Sequence, residues 1–208
     1  MADPDGVVSA EAPPTTGTRE EARNEVFQTH APSPWWMTIG TLAVVYMLHS
    51  GIENGVTPSV LTSIQSRYNA TNVNVALAQR MSEISKTLAT VAYGHFGARN
   101  RSLWIMLAGT IVAVGTVVIS QAASLVLTGV GYFIFGAGYA GAIVLTPPLI
   151  DETIAGANIG RQKTPFYLGV VFTISALGVV GAYLISGIFS ESWQTIYLSF
   201  GFVSMAFA

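Results

Sequence analysis

The stretch that decides the fold is residues 103–150, where LWIMLAGTIVAVGTVVISQA (103–122) is followed by LVLTGVGYFIFGAGYAGAIVLTPPLI (125–150). Neither run contains Asp, Glu, Lys, Arg or His. About 20 largely apolar residues in a helix cross a bilayer core about 30 Å thick. Only Ala123 and Ser124 separate the two runs, so we predict two transmembrane helices that form an antiparallel hairpin.

Apolar runs also flank this hairpin on both sides. The run at 73–96 is the least regular, because it carries Arg80, Glu83 and Lys86. The last run is still apolar at Ala208, so we expect a chain that is cut short inside its final span. We predict an all-α polytopic membrane protein of six transmembrane helices, with spans at about 36–61, 73–96, 103–122, 125–150, 166–189 and 195–208.

Composition supports a membrane protein and argues against several other classes. Of the 208 residues, 51% are hydrophobic and 10% are charged, against about 25% charged in a soluble domain. A net charge of −2 gives no basic surface for nucleic acid. Cysteine is absent, which excludes disulfides and thiolate metal sites. Without a protease, esterase or Walker motif, we expect no enzyme activity, metal or cofactor, and the bilayer as the main partner.

Loop charges predict the orientation of the chain. Residues 1–34 are rich in proline and acids, and we predict a disordered tail there. Cytoplasmic loops carry an excess of Lys and Arg, which places the N-terminus and the loops 97–102 and 151–164 in the cytoplasm and 62–72 outside. The basic residues on the cytoplasmic side are Arg19, Arg23, Arg99, Arg101, Arg161 and Lys163, against Arg67 on the other side.

Ionisable residues inside the predicted helices are the candidates for a substrate pathway, because each costs free energy in the bilayer. Arg80, Glu83 and Lys86 recur every three residues and share one helix face. They form either a cationic patch that attracts an anionic solute or an ion-pair cluster that closes a packing surface. The predicted pathway residues are Glu53, Asn54, Arg80, Glu83 and Lys86.

Glu53 lies in a polar, glycine-rich interruption of the first span, His49-Ser50-Gly51-Ile52-Glu53-Asn54-Gly55. It either binds a proton or cation, or neutralises Arg80 or Lys86 across a helix interface. We favour the second interpretation, since it removes two buried charges at once. For His49 we favour a hydrogen bond to a neighbouring helix over a pH sensor.

Further motifs have simpler interpretations. Gly136-Ala137-Gly138-Tyr139-Ala140-Gly141 matches a dinucleotide-binding pattern, but inside an apolar span it indicates close helix packing. Pro147 and Pro148 are expected to break the fourth helix. Asn69-Ala70-Thr71 is an N-glycosylation sequon on the predicted outer side. The charged residues of the cytoplasmic loops are predicted either to form an ion-pair latch between the loops or to be solvated. The predicted gate residues in these loops are Gly97, Arg99, Arg101, Asp151, Glu152, Arg161 and Lys163.

Several motifs resemble known transporters. The segment 94–101 resembles the basic, glycine-containing loop of the major facilitator superfamily, without its usual acid. Within that superfamily, Phe96-Gly97-Ala98-Arg99 is similar to the corresponding loop of the organic anion transporting polypeptides, the solute carrier organic anion transporters. Segments 83–86, 148–152 and 164–169 also resemble that family, in its order, although the loop between spans three and four is much shorter.

The resemblance implies the N-terminal half of a twelve-span fold, alternating access, and transport of amphipathic organic anions across the plasma membrane. It also implies a missing C-terminal half or a partner subunit that supplies one. Two alternatives remain open. One is a proton-coupled facilitator of another small solute, with Glu53 as the carrier. The other is a half protein that transports nothing and acts through a membrane partner.

Overall fold

The computed structural model describes residues 34–97 and 99–207, and this part of the chain is helical, with no strand. Most of the predicted disordered tail lies outside the described residues, so that prediction is not addressed. The helices are α1 (Trp35–Ser50), α2 (Thr57–Ser59), α3 (Leu61–Tyr68), α4 (Asn72–Phe96), α5 (Arg101–Gln121), α6 (Leu125–Gly156), α7 (Thr164–Ile188) and α8 (Trp193–Phe207). A π-helical segment, Gly51–Val56, joins α1 to α2, and 3₁₀ turns Arg161–Lys163 and Ser190–Ser192 flank α7.

Three helical segments are long and apolar enough to cross a membrane: Arg101–Gln121, Leu125–Gly156 and Arg161–Ile188. They correspond to the third, fourth and fifth predicted spans. The first run is divided, because α1 has 16 residues and gives way to the π-helical segment. The second, α4, carries ionised side chains, and α8 is described over 15 residues. The count of six spans therefore stays a prediction.

Polar side chains cap the N-termini of α5 and α6, the two helices of the predicted hairpin. The Asn100 side chain accepts a hydrogen bond from the Leu103 N–H at 3.4 Å, and the Ser124 hydroxyl accepts one from the Leu127 N–H at 3.3 Å. Such caps satisfy N–H groups that have no partner within the helix. The reversal is confined to residues 122–124, so the two helices run antiparallel.

The prediction that Pro147 and Pro148 break the fourth helix is wrong. Helix α6 runs through both prolines and ends at Gly156, after 32 residues. Each proline lacks an N–H and so removes one hydrogen bond of the helix. Helices in membrane proteins tolerate this loss when neighbouring groups satisfy the freed carbonyls, and here Asp151 and Glu152 remain helical as a result.

Small residues let α6 approach two neighbours closely. A Cβ atom on Gly138 would lie 2.6 Å from the carbonyl oxygen of Ala108 on α5. On another face of α6, a Cβ on Gly136 would overlap the carbonyl oxygen of Ser82 on α4. The pattern at 136–141 thus mediates helix packing, as its apolar setting predicts.

The chain alternates between two ends of the bundle. We call the end that holds residues 69–71 and 122–124 the distal end, where the Tyr68 hydroxyl donates to the Ala122 carbonyl at 2.8 Å. We call the end that holds residues 99–101 and 157–163 the proximal end, where Arg101 pairs with Glu152. Between them, α7 packs against α1 and the π-helical segment.

Candidate functional site

The candidate site begins at the π-helical segment Gly51–Val56, which contains Glu53 and Asn54. Its polar composition is the interruption noted in the sequence. The Thr57 hydroxyl donates to the Ile52 carbonyl at 2.9 Å and so satisfies one backbone acceptor near the irregular turn. π-helical turns are rare and frequent at functional sites. The segment therefore places a carboxylate and an amide beside a break in the helix.

Glu53 is paired across the interface between the π-helical segment and α4. The Lys86 Nζ lies 3.2 Å from Glu53 Oε1 and 2.9 Å from Glu83 Oε1. The Ser82 hydroxyl is 3.0 Å from both carboxylate oxygens of Glu53. Of the two interpretations of Glu53, this is the geometry of a neutralising partner, and its cation is Lys86.

Arg80 has a different environment from Lys86. It is exposed, and it forms no hydrogen bond or ion pair of 4 Å or less with any residue that the structure describes. It lines a cavity of about 320 Å³ together with Glu53, Asn54 and Glu83. All the predicted pathway residues except Lys86 line this cavity, which we call the inner cavity.

Three tyrosine side chains also lie in this region, and no sequence pattern predicted them as site residues. The Lys86 Nζ lies 5.3 Å from the centre of the Tyr139 ring, within the range of a cation–π interaction. The Tyr132 and Tyr197 hydroxyls are 2.9 Å apart, and Tyr197 is 2.8 Å from the Thr57 hydroxyl. Only the fold brings Thr57 and Tyr197 together, so local sequence patterns carry no signal for this chain of hydroxyls.

The hydrogen bond expected from His49 to a neighbouring helix is not found. Its side chain is 1% exposed, and neither ring nitrogen has a hydrogen-bond partner among the described residues. The imidazole instead lies edge-on to Tyr139, with ring centres 6.2 Å apart. His49 therefore packs as a buried aromatic ring beside the site.

The proximal end brings several of the predicted loop residues together. Arg101 pairs with Glu152, and the Arg161 Nε lies 3.8 Å from Asp151 Oδ2. The Thr164 hydroxyl donates to Asp151 at 2.9 Å. These contacts join the starts of α5 and α7 to the last turns of α6.

The remaining loop residues contribute differently. A Cβ on Gly97 would lie 2.5 Å from a Leu145 side-chain carbon, so glycine allows the turn to approach α6. Arg99 and Lys163 are exposed and form no ion pair with a described residue. Two of the predicted loop cations thus take part in the ion pairs of this end, and two do not.

Asn69 lies in the short distal turn between α3 and α4. Its backbone adopts a left-handed conformation with φ of 48°, and the Thr71 hydroxyl caps α4 by accepting from the Asn74 N–H at 3.3 Å. Only residues 69–71 separate the two helices. Glycosylation of this sequon stays a prediction.

The comparison with known proteins found one family model that matches part of the chain. Residues 37–126 match the model of the Organic Anion Transporter Polypeptide (OATP) family. The match includes Glu53, Arg80, Glu83, Lys86 and the loop at 96–99, and it ends at the start of α6. A search of curated proteins found no match. The segment that carries the Glu53–Lys86 pair is thus of the organic anion transporter polypeptide type, which confirms the resemblance noted at 83–86 and 96–99, whereas the segments 148–152 and 164–169 lie outside the match.

Proposed function

We propose that the chain is part of an integral membrane transporter that moves amphipathic organic anions by alternating access. The observation that carries the proposal is the division between the two cations of α4. Lys86 is held by Glu53 and Glu83, whereas Arg80 lines the inner cavity without an ion-pair partner in the described part of the chain. The family match supports the same assignment, and a family of transporters agrees with the expectation that the protein is not an enzyme.

Arg80 has the chemistry that an anionic head group needs. A guanidinium binds carboxylate or sulfate through two parallel hydrogen bonds. An ionised side chain within a membrane protein is costly unless it meets a partner or water. A solute anion in the inner cavity would supply that partner, and Asn54 would offer a further polar contact.

Lys86 has a positioning role in this proposal. The Glu53 and Lys86 side chains are 12% and 19% exposed, so the pair is largely shielded from solvent. It joins the π-helical segment to α4 and fixes the wall that carries Arg80. The sequence led us to expect that both cations attract the solute. We now propose that Arg80 binds the solute, whereas Lys86 holds in position the wall that carries Arg80.

Other parts of the proposal extend beyond the described helices. Three membrane-length helices and the transporter family support an integral membrane location. We propose a cytoplasmic N-terminus, a plasma-membrane location, six spans in this chain, and a second half supplied by further sequence or a partner subunit. The ion pairs of the proximal end would act as a cytoplasmic gate.

Uptake of a radiolabelled steroid sulfate into cells that express the complete gene product tests the proposal. We expect Arg80→Gln to lower uptake at least about tenfold, the effect of losing about 1.4 kcal/mol of binding, and Arg80→Lys to retain part of it. Arg19→Gln removes the same charge from the N-terminal region and should leave uptake unchanged. Full uptake by Arg80→Gln at normal surface expression would refute the assignment of Arg80.

The alternatives give different results. In a proton-coupled facilitator with Glu53 as carrier, uptake would depend on external pH and Glu53→Gln would abolish that dependence. The hydrogen bonds from Ser82 to both Glu53 oxygens favour a fixed carboxylate over a mobile proton carrier. A half protein that acts through a partner would show no uptake by itself in vesicles, while co-expression with that partner would restore transport.

A further inference from the structure

A second polar cavity lies at the distal end of the bundle, where α3 and α5 end and α8 begins. Its volume is about 430 Å³, and its lining is mainly polar. Its lining includes side chains with hydrogen-bond donors, Arg67, Gln121, Gln194 and Thr195, whereas the Ser120 hydroxyl donates to the Val117 carbonyl at 2.8 Å. From this lining we infer that the distal cavity is an oxyanion-binding site, separate from the inner cavity and centred on Arg67. This inference does not depend on the proposed transport function.

Arg67 gives the distal cavity its charge. It is the one ionised side chain among the lining residues, and it forms no ion pair or hydrogen bond with a described residue. Glu191 is an acid of the same end, but it does not line the cavity and lies more than 4 Å from the Arg67 guanidinium. The cation is therefore available to a ligand.

The walls of the cavity are held in place by contacts beside Arg67. The Tyr68 hydroxyl donates to the Ala122 carbonyl at 2.8 Å, which ties the end of α3 to the end of α5. The Tyr68 ring also lies edge-on to Trp193, with ring centres 6.5 Å apart, and Trp193 is 2% exposed. These contacts hold together the three chain segments that carry the lining side chains, so the walls of the cavity need not be ordered when a ligand binds.

The lining indicates the class of ligand. A guanidinium and neutral amide and hydroxyl donors together match the several acceptor oxygens of a sulfate, phosphate or carboxylate group. Such a group can belong to a soluble amphipathic anion or to the head group of an anionic lipid. No residue lines both cavities, and Arg67 lies on α3 whereas Thr57 of the inner cavity lies on α2, so the two cavities are separate sites.

Tryptophan fluorescence provides a local measurement of binding. Of the four tryptophans, Trp35, Trp36 and Trp104 lie at helix starts of the proximal end, and Trp193 lies beside the distal cavity. The chain is placed in phosphatidylcholine nanodiscs with these three changed to Phe, and 4-nitrophenyl sulfate is titrated as a quencher. We expect saturable quenching of Trp193, with an affinity at least about tenfold lower in Arg67→Gln, a loss of about 1.4 kcal/mol.

Controls separate charge from apolar contact. The uncharged analogue 4-nitroanisole should quench wild type and Arg67→Gln equally, and Arg99→Gln, which removes a charge from the proximal end, should bind the sulfate as wild type does. If the triple Phe variant does not fold, the difference in quenching between wild type and Trp193→Phe reports the same site.

A lipid arm distinguishes the source of the oxyanion. Native mass spectrometry measures phosphatidylglycerol retained by protein released from mixed nanodiscs. Retention by wild type and loss in Arg67→Gln would support the site with a lipid occupant, whereas sulfate quenching that depends on Arg67 supports a soluble one. If Arg67→Gln changes neither measurement, the distal oxyanion site is wrong.

Discussion

The ammonium of Lys86 lies 3.2 Å from a carboxylate oxygen of Glu53, although the two residues are 33 positions apart in the chain. Within this interface each charge is the partner that the other needs, because an unpaired charge shielded from water is costly. The pair therefore makes two charges compatible with one packed interface. Its contribution can be tested separately from transport.

Removing Lys86 alone should destabilise the protein more than removing Lys86 and Glu53 together, because Glu53 then has no cation whereas Lys86 without Glu53 keeps Glu83. Lys86→Gln leaves a shielded carboxylate without its cation, and we expect a loss of about 1–3 kcal/mol in unfolding free energy. The double variant Glu53→Gln with Lys86→Gln should recover part of that loss, since the shielded carboxylate is gone and the remaining one, Glu83, is 48% exposed. Unfolding in mixed micelles by dodecyl sulfate measures each variant, and simple additivity of the two single losses would contradict a direct pair.

Gly55 of the π-helical segment should not tolerate replacement by any residue that has a side chain. A Cβ on Gly55 would lie 2.7 Å from the Val179 carbonyl oxygen and 2.8 Å from the Ala182 Cβ on α7. Gly55→Ala therefore forces the two elements apart, at a cost of about 1–3 kcal/mol. Thermal unfolding followed by circular dichroism tests this. Gly40→Ala is the matched control, since open space surrounds its Cβ position, and an equal effect of both changes would rule out the packing explanation.

The hydroxyl chain through Tyr197 should behave as one unit. Tyr197→Phe removes the contacts to both Tyr132 and Thr57, whose hydroxyls are 2.9 Å and 2.8 Å away. We expect a loss of about 1–3 kcal/mol, because buried polar groups lose their partners. In the double variant with Tyr132→Phe the total should be less than the sum of the single losses. Additive losses in the same unfolding measurement would show that the hydroxyls act independently.

The ion pair of Arg101 with Glu152 should matter more for conformational change than for stability. The two side chains are 25% and 56% exposed, and exposed pairs contribute about 0–1 kcal/mol. We expect Arg101→Glu to change the unfolding free energy little but to lower uptake of the labelled steroid sulfate by the complete gene product.

Charge reversal provides the control for this prediction. The exchange of both residues, Arg101→Glu with Glu152→Arg, restores opposite charges and should restore uptake. If the exchanged protein transports no better than Arg101→Glu, the pair is not the contact that matters at the proximal end.

Some features of the site follow from sequence periodicity, and others do not. The spacing of Arg80, Glu83 and Lys86 places them on one helix face, and the structure has Lys86 bonded to Glu83 at 2.9 Å. Which cation Glu53 neutralises cannot be derived from spacing, because the answer depends on how the π-helical segment turns toward α4. The same holds for the partners of Tyr197 and for the unbonded ring of His49.

Pro147 and Pro148 show a further limit of local reasoning. In isolation two adjacent prolines favour the end of a helix, yet α6 continues to Gly156 and carries Asp151 and Glu152 to the proximal end. Residues distant in sequence then determine their contacts: Arg101 pairs with Glu152, and Arg161 and Thr164 contact Asp151. Helix propensity is a property of one segment, whereas the end of α6 and its contacts depend on how several segments pack together.

The sequence by itself determined that this is a helical chain with membrane-length apolar segments and a transporter-like set of loop motifs, because helix formation and apolarity are properties of contiguous residues. Only the tertiary structure decided that Lys86 pairs with two carboxylates, and that Arg80 and Arg67 each line a cavity without an ion pair to any residue that the structure describes. Whether a charge is paired depends on the distance between atoms of different helices, and packing sets that distance.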